Sequence, residues 1–352
     1  MGMAACASSN TLCCWHPYCC CKQLMLRSAA AAVYGPPISD EDCLELLTAV
    51  YDDPNASRHF DTAEIYKSGN PMVDNDDDTY NEKQLAPFFA SKPRDSFTVA
   101  TKFMPFKHGG KSDYDTVKAA LQGSLSRLGL DYIDLYYCHR VANLAGTLEF
   151  AASAKRLQDE GLVRAVGLSE VCGDWLRQAH AICPIAAVQQ EWSLMTRVGE
   201  PELFPVCAEL GVGVVAYSPL ARNLLCTTAE DECPRDWRAT LPRYSAENWA
   251  VNVELSAEVA EIAKNKGGIS AAQLSLAWLF HRADAMGVKI LPIPGTTKAA
   301  HAVVNSASTG ISLSVEEAAT LEALAGQTQG LRGDEQYMSI VIEAQADFAS
   351  TA

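Results

Sequence analysis

Short apolar runs rich in β-branched and aromatic residues alternate with helix-period stretches along most of the chain, and this alternation leaves few folds open. The runs are FDTA (60–63), FTVATKF (97–103), YIDLYYC (132–138), VRAVGLS (163–169), AAVQQEWS (186–193), VGVVAYSP (212–219) and VKILPIPG (288–295). Between them the apolar spacing predicts helices over 81–90, 113–127, 147–159, 174–181, 202–210, 253–264 and 271–281. An opening helix is predicted after Ser39, with Asp40, Glu41 and Asp42 in its first turn and Leu44, Leu47 and Val50 at helical spacing. Strands alternating with helices imply a parallel sheet covered on its faces. Closure into a (β/α)8 barrel needs one more strand, and residues 24–27 are the sole candidate for it. The rival doubly wound sheet would carry G-x-G-x-x-G after its first strand; Gly211 and Gly213 instead precede a strand. The barrel is therefore the expected fold.

Four polar residues stand at or just beyond the ends of separate runs: Asp61, Tyr66, Lys102 and His139. In a barrel these ends share one mouth, so a carboxylate, a phenol, an ammonium and an imidazole are expected to meet there. A cation beside a phenol favours the phenolate, which suits proton transfer at neutral pH. Taken singly, each has a plainer reading as a cap, a surface charge, a half-buried aromatic or a core histidine. Their order at strand ends is what distinguishes the set.

At 352 residues the chain exceeds an ordinary single domain, but barrels of about 250 residues with insertions form one. A formal charge of −15 argues against nucleic acid or an anionic membrane as partner. No apolar stretch approaches the roughly 20 residues a spanning helix needs. Six of the 13 cysteines crowd the opening (Cys6, Cys13, Cys14, Cys19, Cys20 and Cys21), and the rest are scattered singly, which suits a reducing compartment. Residues 1–32 read as a Cys-rich leader, disordered or targeting, with no acidic residue before Asp40. Cys13, Cys14, His16 and Cys19 lack zinc-site spacing, so no metal is expected; palmitoylation remains open, and Cys6 stands where myristoylation needs Ser or Thr. The run 74–78 lacks the ligand pattern of a calcium loop and reads as a solvated acidic insertion.

In order along the chain, DTAEIY with NEK, ATKF, SLSRLGLDYIDLYYCHR, VGLSE, AVQQEWSL, AYSPLAR and PIPGTTK resemble the aldo-keto reductase family, from about residue 33 to 326. GLSE, EWSLMTR, LPRYSAENW and PIPGTTK are most similar to the branch of pyridoxal reductases and plant auxin-induced and perakine-reductase-like members. The resemblance implies a barrel over 33–330 followed by a C-terminal tail, 331–352. It also implies reduction of an aldehyde or ketone with NADPH, Tyr66 as general acid, Lys102 and Asp61 lowering its pKa, and His139 orienting the carbonyl.

For the cofactor, the resemblance implies that Ser169 and Gln189 hold the carboxamide and that Tyr217 stacks on the ring. Ser218 and Leu220 would also bind the cofactor, and Arg222 would reach the pyrophosphate. Gly295, Thr296, Thr297, Lys298 and His301 would take the 2′-phosphate, and Asn305 the adenine. Trp192, Tyr244 and Trp249 are candidate substrate walls, with Trp237 beside them. The first strand departs from the family's glycine-containing form: Arg27 stands where backbone normally approaches the nicotinamide, so an atypical or degenerate strand is expected. His301 also replaces a commonly basic residue, and Val304 an acidic one. A cytoplasmic enzyme is expected, or an organellar one if the leader is a transit segment. The competing reading is a non-catalytic NADP-binding subunit resembling potassium-channel β subunits.

Overall fold

A computed structural model describes residues 38–75, 78–141, 143–228 and 230–341, together with the backbone of 24–28. The cysteine cluster, residues 33–37, Asp76 and Asp77 lie outside the described residues, as does the Arg27 side chain.

The strands are β1 (Leu24–Ser28), β2 (Ala56–Asp61), β3 (Thr98–Phe103), β4 (Ile133–Cys138), β5 (Val163–Ser169), β6 (Ile185–Glu191), β7 (Gly213–Tyr217), β8 (Ile290–Ile293) and β9 (Gly295–Thr296). Each pairs in parallel with its neighbour, in the order β8-β7-β6-β5-β4-β3-β2-β1-β9. Strands β8 and β9 are successive pieces of one run, parted by Pro294, which has no N–H to donate to a ladder. Because β8 pairs with β7 and β9 pairs with β1, the sheet closes on itself. The expected first strand is thus present, with Arg27 opposite both Asp61 and Gly295, although its register shifts between Leu24 and Leu26. Parallel strands need crossovers, and these are the helices α1 (Asp40–Asp52), α2 (Asn81–Ala90), α3 (Tyr114–Leu128), α4 (Leu144–Asp159), α5 (Gly173–Ile182), α6 (Leu203–Leu210) and the pair α7 (Ala246–Asn265) and α8 (Ala271–Met286). Beyond the barrel strands lie α9 (Ala299–Ser306), α10 (Val315–Ala325) and α11 (Glu335–Met338).

Helix starts follow local chemistry. Ser39, Asp113 and Asn143 each accept a hydrogen bond from a first-turn N–H, and Ser270 with Gln273, and Ser314 with Glu317, form reciprocal capping boxes. Alternation along each strand divides the core in two. Outward residues such as Phe60, Val99, Tyr136, Val166 and Val188 pack under the helices, while Ala100, Leu135, Tyr137, Ala165, Ala187, Val215 and Tyr217 fill the barrel. Small and large residues interlock inside: a Cβ on Gly167 would overlap the Tyr137 ring. Among the described residues no helix is long and apolar enough to cross a membrane, and no group of three or more His, Cys, Asp or Glu is arranged to hold a metal ion.

Of the acidic insertion, Asp74 and Asn75 are exposed as expected, and Asp78 is not. Asp78 is buried against Lys67, and Asp74 bridges Lys67 and Lys107. The reason is the pair of rim lysines, whose side chains are themselves shielded and need carboxylate partners.

Two residues before Asp61, His59 lies buried with Nδ1 2.5 Å from Thr98 Oγ1. Burial pushes its pKa down to about 4, against weaker opposing pulls from Asp61 and Asp134. The unfolded chain therefore takes up this proton first. The stability it supports is fully present above about pH 6.5 and is lost as pH falls towards 4. Urea unfolding of the wild type and His59→Leu at pH 7.5 and pH 5 is expected to show about 2 kcal/mol more pH-dependent loss in the wild type; parallel losses would contradict a neutral buried imidazole.

Candidate active site

Three adjacent strands deliver the four expected residues. Strand β2 ends at Asp61, and a tight turn closed by Tyr66 N donating to Ala63 O (3.0 Å) brings Tyr66 back over the mouth. Strand β3 carries Lys102 inward, and His139 follows β4, fixed by its N–H on Phe103 O (2.7 Å). Lys102 Nζ donates to Asp61 Oδ1 and to Thr62 O (2.7 Å), and Gln189 Nε2 donates to the other Asp61 oxygen (2.9 Å). The ammonium stands 5.0 Å from the Tyr66 ring centroid, and the Tyr66 hydroxyl is 3.4 Å from His139 Nε2. Asp61 and Lys102 are both 0% exposed. A buried cation and its counter-ion therefore back a phenol whose hydroxyl lies beside an imidazole nitrogen. Such a set can donate a proton to, and hydrogen-bond, one developing oxyanion.

Behind this group lies a second layer of buried polar residues. Asn81 and Glu82, both 0% exposed, open α2. Asn81 N donates to Tyr66 O (2.8 Å), and its Oδ1 accepts from Thr62 Oγ1 (2.7 Å). Glu82 accepts from Thr101 Oγ1 and from Arg127 Nε, each at 2.6 Å. The residues flanking the Lys102–Asp61 pair in sequence, Thr62 and Thr101, are thus both tied to one helix start. Glu64 adds another tie by accepting from Met104 N (2.6 Å). The only sequence signal for this layer was NEK standing shortly after Tyr66.

A groove of about 300 Å³ opens along the rim beyond β7 and β8. Ser218, Leu220, Arg222, Gly295, Thr296, Thr297, Lys298 and His301 line it. Lys298 N donates to Thr296 Oγ1 (3.1 Å), folding the loop ahead of α9. Asn305 lies further along α9 with its side chain buried, and it does not line the groove. Every non-glycine residue of positive φ among the described residues sits at this face: Glu170 after β5, and Ser218, Ala221, Arg222 and Asn223 after β7. Backbone held in that region costs on the order of 1–3 kcal/mol per residue and gathers at ligand sites. Arg238 also lines the groove, oriented by Asp236 through its Nε and Nη2. It was not singled out from sequence because it falls in a long loop without periodicity.

Several expected residues have other partners. Arg222 pairs with Glu191 (3.0 Å) and donates to Arg332 O. Ser169 Oγ accepts from Arg140 Nη1 (3.2 Å). Tyr217 donates to Glu170 Oε1 (2.6 Å), and its oxygen lies 2.6 Å from the Tyr337 oxygen. The proposed substrate walls face inward. Trp192 is fully buried, 4.3 Å from the Phe204 ring, with Nε1 donating to Glu200. Tyr244 donates to the carbonyls of Ala221 and Arg222 and stacks on Trp249, while Trp237 lies beside the Arg222 guanidinium. Tyr244 and Trp237 thus contact the loop after β7, and Trp192 packs beneath α6.

Residues 329–337, on either side of the expected start of a tail, dock across the mouth. Asn252 exchanges hydrogen bonds with both the N–H and the carbonyl of Gln329. Arg332 makes a bidentate pair with Glu170 (2.8 and 3.0 Å) and reaches Glu191 (3.1 Å). The Arg332 guanidinium holds Glu170 ionised: burial alone would raise its pKa, yet it falls to about 2.

Asn81→Ala is expected to leave the Thr62 hydroxyl without its acceptor in a dry environment and to cost about 1–3 kcal/mol by urea unfolding. Thr62→Val in the same background should recover part of that loss. An unchanged midpoint in Asn81→Ala would show that the tie carries no energy.

Comparison with known proteins shows the same fold elsewhere. A thermostable aldo-keto reductase solved with the inhibitor epalrestat matches with a TM-score of 0.64 at 26% identity, over 86% of this chain and 94% of that one. An aldo-keto reductase from Klebsiella pneumoniae solved with NADPH matches at 0.63 and 24%, over 89% and 93%. The glycerol dehydrogenase of Gluconobacter oxydans matches at 0.71 and 20%, over 87% and 91%. The sequence pattern of the aldo/keto reductase family matches residues 30–325, which include Asp61, Tyr66, Lys102, His139 and the groove, and the chain belongs to that family.

Proposed function

We propose that this protein reduces a small aldehyde or ketone to the alcohol with NADPH, Tyr66 supplying the proton. The observation that carries the reading is the convergence of Asp61, Tyr66, Lys102 and His139 in one mouth, next to a groove suited to a dinucleotide. The groove fits a phosphorylated nucleotide: Thr296, Thr297, Lys298 and His301 offer hydroxyls, an ammonium and an imidazole at its edge, and Arg238 faces the same space. Ser169 and Gln189 would hold the carboxamide once their present partners, Arg140 and Asp61, release them. Reduced nicotinamide, when bound, supplies the hydride that no side chain can.

The chain's own residues do the rest. His139 Nε2 and the Tyr66 hydroxyl, 3.4 Å apart, are placed to share one carbonyl oxygen as hydrogen-bond donors. Charge that develops on that oxygen is met by fixed donors in a site shielded from water. Tyr66 then releases its proton to the oxygen, and the nearby Lys102 charge favours the phenolate left behind. Asp61 keeps Lys102 in place and charged, which an unpaired buried ammonium would not be. The segments GLSE, EWSLMTR, LPRYSAENW and PIPGTTK support a place in the branch with pyridoxal reductases and plant auxin-induced members. The intact Tyr66–Lys102–Asp61 arrangement favours a catalyst over a nucleotide-binding regulatory subunit.

Two measurements test this reading. Tyr66→Phe is expected to lower NADPH-dependent aldehyde reduction on the order of 100- to 10,000-fold while leaving NADPH binding, read by intrinsic fluorescence, unchanged. Wild-type turnover in that variant would remove Tyr66 as the acid, and tight NADPH binding without turnover in the wild type would favour the regulatory subunit. Lys298→Met is expected to weaken NADPH about 10- to 100-fold and NADH little. Equal losses would take the 2′-phosphate away from Lys298.

A further inference from the structure

Three arginines reach the mouth from different elements, and two of them are neutralised there. Arg332 is held by Glu170 and Glu191, and Arg222 by Glu191. Arg140, which follows His139 directly, differs. Its Nη1 donates to His139 O (2.8 Å) and to Ser169 Oγ (3.2 Å), and it has no carboxylate ion-pair partner among the described residues. Its guanidinium carbon stands 5.7 Å from the ring centroid of Tyr217 and 5.8 Å from that of Tyr337, so two phenol rings flank it. Burial works against the charge, yet Tyr217, Tyr337, Glu170 and Tyr66 together hold it protonated beyond the ordinary arginine value. Tyr66 is the proposed acid, so the cation stands within electrostatic reach of the reacting carbonyl.

A half-buried cation with only neutral oxygens as hydrogen-bond partners is costly to maintain in a chain that carries 43 acidic residues against 28 basic ones. Acidic side chains were available nearby and were given to Arg222 and Arg332. We propose that Arg140, flanked by Tyr337 and Tyr217, is a specificity-determining residue that recognises an anionic group on the carbonyl substrate, and that the preferred substrates are aldehydes or ketones bearing a carboxylate. The inference rests on the reductase reading for its substrate class. Planar guanidinium donors match a carboxylate in a way an ammonium does not. Tyr337 brings a phenol from the C-terminal segment, so that segment takes part in selection.

The test compares 3- and 4-carboxybenzaldehyde with their methyl esters, which keep the ring and the aldehyde but lose the charge. Full-length wild type is expected to favour at least one acid over its ester by about 10-fold or more in kcat/KM, mostly through KM. Arg140→Met is expected to bring the acid-to-ester ratio close to one, and Arg140→Lys to restore part of it. The ratio cancels any loss common to both substrates, including one from altered folding or cofactor seating. Equal use of acids and esters by the wild type, or an unchanged ratio in Arg140→Met, would overturn the proposal and leave the reductase reading standing. If no aldehyde is turned over, the reductase reading fails and calorimetric titration with benzoate decides the anion site. Binding lost in Arg140→Met would support it, and binding absent in the wild type or kept in the variant would overturn it.

Discussion

The buried pair between Lys102 and Asp61 is the interaction on which the rest of this mouth depends. It joins two adjacent strands in the barrel interior, and both side chains are wholly shielded from solvent. Removing either partner leaves a buried charge uncompensated, whereas an apolar pair of similar volume would be no worse for folding. Its presence is better explained by chemistry than by stability. The remaining hydrogen bonds are consistent with that view. Thr62 O and Gln189 satisfy the pair, Asn81 holds Thr62, and Glu82 holds Thr101. Each tie restricts where the ammonium stands relative to the Tyr66 ring.

Among the described residues the C-terminal face carries every non-glycine residue of positive φ and the buried charges of Asp61, Lys102, Glu170, Glu191 and Arg332, while the barrel interior below it is filled by small and large apolar residues in alternation. Positive-φ residues after β5 and β7 aim side chains that regular strand geometry would turn elsewhere. Glu170, Glu191, Arg222 and Arg332 lock together the ends of β5 and β6, the β7 loop and the C-terminal segment. This network makes residues 329–337 part of the mouth's wall. Arg140, beside this network, has no carboxylate ion-pair partner among the described residues.

Much of this was legible in the chain because it is periodic. Helix α2 and strand β5 lie where the spacing placed them, and the ends of β2, β3 and β4 bring Asp61, Lys102 and His139 together. Residues 24–28, which lack the family's glycine pattern, still form a strand because its backbone pairs with β2 on one side and β9 on the other. What sequence could not reveal depends on long-range pairing. Trp192 follows a strand end, and only the tertiary packing sends it under Phe204 instead of into the mouth. Arg222 resembles a pyrophosphate ligand, but its partner Glu191 lies 31 positions away. Asp78 was read as solvated because its partner Lys67 is 11 positions back, across an aperiodic loop. Arg332 and Tyr337 fall after the last barrel element, where no repeat marks their destination.

The measurement that bears most directly on this account is a double-mutant cycle on the central pair: Asp61→Asn, Lys102→Met and the combination, each followed by urea unfolding and aldehyde reduction with NADPH. If the pair is kept for proton transfer and not for folding, each single change costs about 3–5 kcal/mol, the double variant recovers most of that stability, and none of the three turns over substrate. A double variant that folds and reduces aldehydes at the wild-type rate would contradict the account at its centre.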